Sequence, residues 1–214
     1  VFALLETQLA VLMPHILAPI ADTARPSEQD FLQSGVYNAG GIGLSKNAGG
    51  EALLGWWEDK TRLDCVYDPE KGYWLDQHWL DLLPSFFEQV HILREAAYNV
   101  GRWNFRHRHL RLGADGLYYV DDTPLVFIQF GAWFRPDSAN GTGQTLPATY
   151  QACFEDYLHR LREAGSEQSE HWPYTYATFP DGVPIPKALR HCLRQHDPNA
   201  ERWPDPYRLD TPDN

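Results

Sequence analysis

The spacing of apolar and polar positions divides the chain into alternating helical and extended segments. Residues 1–10 form an apolar stretch that reads as the end of a helix, and residues 11–17 read as a short buried strand stopped near Pro14 and Pro19. Residues 21–27 form a loop. Ser27, with Glu28 and Asp30 behind it, is a helix N-cap followed by acidic residues in the first turn, so a short helix is predicted that ends near Ser34 and Gly35. Residues 36–44 read as a strand that is apolar on both faces and carries Gly40, Gly41 and Gly43 where side chains would block a close approach. Asn47 caps the next helix, which carries Leu53, Leu54, Trp56 and Trp57 and runs to about Leu63.

Beyond a loop at residues 68–72, Trp79, Leu80, Leu82 and Leu83 predict a helix over residues 77–83 that Pro84 closes. Residues 90–93 form a candidate strand, and residues 98–112 are polar and aromatic. Residues 117–120 and 125–130 read as paired strands joined by a turn at Asp121, Asp122 and Thr123. Thr145 and Pro147 start a helix whose apolar residues Phe154, Tyr157, Leu158 and Leu161 recur at helical spacing, and Gly165 ends it. Residues 167–184 connect it to a last helix at residues 185–196. The predicted organisation is a single mixed α/β domain over residues 1–198 followed by a Pro- and Asp-rich tail at residues 199–214.

Composition adds limits to this picture. The formal charge of −11 disfavours a polyanion as the main partner, because nucleic-acid binding relies on Lys and Arg neutralising phosphates. A local exception is the set Arg102, Arg106, Arg108 and Arg111 with His107 and His109, which reads either as an anion-binding patch or as an internally paired loop. Cys65, Cys153 and Cys192 are widely spaced and form no C-x-x-C pair, which argues against a disulfide framework or a zinc site and for a reducing, cytoplasmic setting. No apolar run approaches the roughly 20 residues of a membrane helix, and no leader is read at Val1, where the chain opens as if it were a fragment. Eight Trp and eleven Tyr offer flat apolar faces with polar tips, suited either to the core or to sugar stacking.

Two constellations could carry chemistry. In the run Tyr37-Asn38-Ala39-Gly40-Gly41, one amide side chain stands beside backbone kept bare by glycine, and an amide both donates and accepts, as a sugar hydroxyl does. The same run also suits a strand packed closely against a helix. Further on, Tyr73, Trp74, Asp76 and Gln77 place two aromatics, a carboxylate and an amide at a helix start, where Asp76 serves either as a ligand group or as a cap.

Taken together, these motifs resemble bacterial nucleotide-sugar glycosyltransferases of the GT-A fold, related to the family eight retaining enzymes. The residues that carry the resemblance are Tyr37 to Gly40, the pair Asp76-Gln77, Tyr98-Asn99-Val100 with Trp103-Asn104, and the later run from Tyr176 to Phe179, Asp181-Gly182, Pro184-Ile185-Pro186 and Leu189-Arg190. It implies a GT-A-like nucleotide-diphospho-sugar transferase fold, a mixed sheet flanked by helices, with the nucleotide-binding N-terminal part expected to be missing from this chain. The implied partners are a nucleotide-sugar donor and a carbohydrate or other acceptor. Asp76 would bind donor hydroxyls and Gln77 would lie near the anomeric carbon, making these the catalytic pair. Tyr37, Asn38, Ala39 and Gly40 would hold the sugar, with Asn99 and Trp103 completing the substrate site. The family also implies a divalent metal, Mn or Mg, but no D-x-D precedes residue 44, and Gln129 stands where relatives carry a metal-binding His. A neutral amide is a poor replacement for imidazole. The alternative function is a non-catalytic sugar-binding module.

Overall fold

A computed structural model describes residues 1–131, 146–179, 181–186 and 188. Its contacts divide the chain into two compact units, residues 1–157 and 158–214. The first unit is built on a three-stranded sheet in the order β2-β1-β5. Its strands are β1 (Ala10–Pro14), β2 (Tyr37–Leu44) and β5 (Val90–Ile92), with β1 antiparallel to β2 and parallel to β5. All five residues of β1 are buried, and the side-chain period of two sorts them between two cores. Ala10 and Leu12 pack with Leu53, Leu80 and Leu83, whereas Val11 and Met13 pack with Leu93.

Two helices flank this sheet in sequence. In α1 (Glu28–Ser34), the Asp30 carboxylate accepts from the Ser27 backbone N–H at 2.7 Å and the Ser27 hydroxyl at 2.9 Å, so the acid fastens the helix start. In α2 (Ala48–Asp64), Asn47 Oδ1 accepts from Gly50 N–H at 3.0 Å, as its type and position predict.

The pairing of β1 with β2 is interrupted where the candidate residues lie. Leu12 faces Ile42, but two residues later Pro14 faces Tyr37, so β2 spends more residues than β1 across that interval. Such an irregularity bends a strand and re-aims its side chains. Here it carries Asn38, Ala39 and Gly40.

Several expected elements differ in detail. Residues 1–10 hold a 3-10 turn at Leu4–Glu6 and the first residue of β1, not the end of a longer helix. The helix expected from Gln77 is a 3-10 turn, Gln77–Leu82, continued by a short α3 (Leu83–Phe86). Pro84 stands in the first turn of α3, where its missing N–H leaves no bond unmade, so it starts a helix rather than closing one. The expected hairpin is present but its second arm is earlier and shorter: β8 (Tyr118–Val120) pairs with β9 (Thr123–Pro124), and of residues 125–130 Leu125 adds a bond from its N–H to Tyr118 O at 2.9 Å. β7 (Leu110–Leu112) completes this antiparallel sheet, and β10 (Ile128–Gln129) pairs in parallel with β6 (Val100–Gly101). The loop expected at residues 68–72 is the tip of a short ribbon, in which β3 (Tyr67–Asp68) pairs with β4 (Tyr73–Trp74).

A third core, made of Ala97, Val100, Phe105, Leu110, Val120, Tyr150 and Cys153, seats the N-terminal part of α4 (Ala148–Glu163). In the second unit, α5 (Ser166–Ser169) and a 3-10 turn at Thr175–Ala177 precede a tight reversal. Gly182 lies at φ 86°, and Thr178 bridges Pro184 across the turn. Thr145, Cys192, Leu189-Arg190, most of the expected helix at residues 185–196 and the tail at residues 199–214 lie outside the described residues. Among the described residues, no helix is long and apolar enough to cross a membrane.

Candidate functional site

The irregularity in β2 brings four of the expected site residues into one polar junction, with Asn38 and Asn99 buried, Gln129 half-buried and Gly40 exposed. Asn99 is its centre. It adopts a left-handed backbone, φ 54°, which Asn tolerates better than most residues. Its Nδ2 donates to the carbonyls of Pro14, at 3.1 Å, and Met13, at 3.4 Å, where the ladder between β1 and β2 breaks. Its Oδ1 accepts from Asn38 Nδ2 at 2.8 Å and from Gln129 Nε2 at 3.2 Å. Asn38 Oδ1 in turn accepts from Gly40 N–H at 2.8 Å. A Cβ added to Gly40 would lie 2.7 Å from Gln129 Oε1, so the glycine makes room for that amide. Asn104, adjacent to Trp103, donates to the carbonyls of His15 and Asn99 at 2.8 and 3.0 Å. The pairing of β6 with β10 is what carries Asn99 and Gln129 to the same place.

Gln77 extends the junction. Its Nε2 donates to Ser34 O at 2.8 Å and its Oε1 accepts from Ala39 N–H at 3.4 Å, tying the end of α1 to β2. Asp81 performs a similar task one turn later, accepting from Val36 N–H at 2.9 Å and Tyr37 N–H at 3.4 Å. Burial pushes its carboxyl above the usual carboxylate range despite those two donors and the nearby His78. Tyr37 itself packs on the Leu12 core, with its phenol likewise raised by burial.

On one side of Gln77 lies a cavity of about 480 Å³, lined by residues that include His15, Phe31, Trp74, Gln77, Arg102 and Trp103. Its size falls in the range of about 300–1,000 Å³ usual for small-molecule sites. His15 stacks on Phe31 with ring centres 5.4 Å apart and meets Trp103 edge-on at 5.5 Å, so three rings form one wall. The Trp103 indole folds over Gly101, where an added Cβ would lie 2.5 Å from it. His15 Nδ1 lies 3.0 Å from the Val36 carbonyl, and a carbonyl only accepts, so Nδ1 carries the proton there. Burial pushes the imidazole pKa down to about 4, more than the Val36 and Gly35 carbonyls raise it. It is neutral at pH 7.

Two buried nitrogens of cavity-lining residues, Arg102 Nε and Trp103 Nε1, have no hydrogen-bond partner among the described residues. The remaining basic residues of that stretch are internally committed. Arg106 pairs with Asp22 at 2.6 Å, Arg108 is buried and donates to the carbonyls of Ala96 and Tyr98, and Arg111 donates to the Asp121 carbonyl at 2.8 Å while lying over the Tyr119 ring. The internally paired reading therefore holds for three of the four arginines.

Asp76 stands apart from the junction. It precedes the 3-10 turn, makes no capping bond with its side chain, and offers its carbonyl to Trp57 Nε1 at 3.0 Å. Its neighbours Trp74 and Gln77 line the cavity. Leu75 between them adopts φ 53°, a left-handed conformation rare for a bulky residue, and turns the chain from β4 into the turn.

Gln129 donates through Nε2 to Asn99 and its Oε1 lies over Gly40, and among the described residues no three His, Cys, Asp or Glu side chains converge on a point where an ion could sit. The residues that sequence reading missed are those of α1 and its approach, Arg25, Asp30, Phe31, Gln33 and Ser34.

No model of a protein family matches the chain, and no solved structure matches it. The sequence is 31% identical over 105 residues to the uncharacterized protein YfnD of Bacillus subtilis (strain 168). That alignment takes in 47% of this chain and 33% of YfnD, so it spans about a third of the relative's length.

Proposed function

We propose that this chain carries the sugar pocket of a nucleotide-sugar glycosyltransferase on a GT-A-like fold, which moves a sugar from a nucleotide donor to a carbohydrate or other acceptor. The observation that supports this reading is the cavity, which combines an aromatic wall with buried donors left unpaired. A pyranose has an apolar face that packs on indole and a rim of oxygens that accept from N–H groups. Asp76, whose sequence neighbours Trp74 and Gln77 line this pocket and whose side chain has no capping task, receives the donor hydroxyls. Gln77 positions rather than reacts, since both ends of its amide hold backbone.

Glycosyl transfer develops positive charge at the anomeric carbon, which a nearby carboxylate stabilises, and negative charge on the leaving group. The donor set here does not suit a metal, and no step is assigned to one. Asp76→Asn is expected to abolish nucleoside diphosphate release from nucleotide-hexose donors while the far-ultraviolet circular dichroism stays unchanged. Trp74→Ala should weaken sugar binding roughly fivefold, the loss of one stacked aromatic face. Saturation-transfer NMR checks the second and a coupled release assay the first. Wild-type release by Asp76→Asn sinks the role of Asp76, and the lack of any sugar signal sinks the pocket. The commitment of Gln77 and Gln129 to internal partners favours a second reading, sugar binding without transfer, which binding with no release in the wild type would establish.

A further inference from the structure

We infer that the cavity receives the acidic substituent of its ligand, a phosphate or carboxylate oxyanion seated against Arg102 Nε and Trp103 Nε1. Both atoms are buried, both belong to residues that line the cavity, and neither has a partner among the described residues. An arginine Nε–H and an indole N–H can only donate. The complementary group is therefore one that only accepts, and an oxyanion does so more strongly than a hydroxyl, which must also place its own proton.

Charge points the same way. The cavity is lined by Arg25, Asp30 and Arg102, and Arg25 is paired with Asp30. Arg102 makes no ion pair among the described residues, while Arg106 and Arg111 do and Arg108 spends its guanidinium on backbone carbonyls. His15 is neutral and adds nothing. One uncompensated positive charge thus faces the pocket in a chain of formal charge −11. The position of Trp103 is not accidental to the fold, since only glycine at 101 lets the indole lie where it does.

The sugar part of this inference rests on the glycosyltransferase reading, and the anion part does not. Titration calorimetry of the full chain with glucose, glucuronate, glucose 1-phosphate and inorganic phosphate separates them. The expected result is that glucuronate or glucose 1-phosphate binds at least about tenfold more tightly than glucose, the scale of one charge-assisted bond. Preference for the first identifies a carboxylate and for the second a phosphate. Arg102→Gln should erase the preference, and Trp103→Phe, which keeps the ring and removes Nε1, should reduce it several-fold. Thermal melts of both variants report whether they fold, and either folded variant decides the matter. Equal binding of glucose and its acidic relatives, or a preference untouched by both substitutions, overturns the anion site and leaves the sugar pocket standing. Phosphate binding without any sugar binding keeps the anion site and removes the sugar reading, and no binding of any probe removes both.

Discussion

Gly40 and Gln129 show how closely two residues distant in sequence can constrain each other. The missing Cβ at position 40 is space that the Gln129 amide fills, at 2.7 and 2.9 Å from where that carbon would be. Gly40→Ala is expected to lower stability by about 1–3 kcal/mol, the cost of overpacking. In a Gln129→Ala background the same substitution should cost much less, because the group that clashes most is gone. A denaturation cycle over the wild type, the two single variants and the pair measures the coupling, and strictly additive effects would refute it. The Asn38 motif was legible in the sequence as a polar group beside bare backbone. What sequence did not reveal is that the bare backbone faces an internal amide before it faces anything else.

At the scale of elements, the helix caps were the most readable features, because Asn47 and the Ser27–Asp30 pair act within one turn of themselves. The errors fell where pairing is long-range. Residues 125–130 have strand-like residues, yet only Leu125 bonds to the neighbouring strand, while Ile128–Gln129 pairs with Val100–Gly101, a choice set by tertiary contacts with no local sign. Gln77 illustrates the same limit: its role depends on α1 and β2 meeting there. Gln77→Ala leaves the Ser34 carbonyl and the Ala39 N–H without their partner and should cost about 1–3 kcal/mol. Hydrogen exchange should quicken at the Ala39 amide in that variant, while the Gly50 amide at the start of α2 stays protected. Equal acceleration at both sites would mean a general loosening instead of a lost link.

For the molecule as a whole, His15 ties stability to pH. Its pKa falls from 6.5 to about 4 on folding, chiefly through burial, with Arg108 adding to the fall and the Val36 and Gly35 carbonyls opposing it. The unfolded chain therefore binds a proton between those values and the folded one does not. Stability is fully present above about pH 6.5 and declines as pH drops toward 4, by about 3 kcal/mol in all. Asp22, Asp30, Asp68 and Asp115, held below the usual carboxylate range, extend the loss to lower pH, whereas Asp81, raised by burial, works in the opposite sense. Urea midpoints at pH 7, 6 and 5 should fall in the wild type and stay nearly level in His15→Gln. Parallel declines would assign the effect elsewhere.

The contact between positions 40 and 129 also dictates an order of inheritance. A lineage that acquires a side chain at 40 while Gln129 is present meets a clash, and one that first shortens residue 129 gives up the bond to Asn99 but then accepts the new side chain more readily, so the cost of each step depends on which comes first.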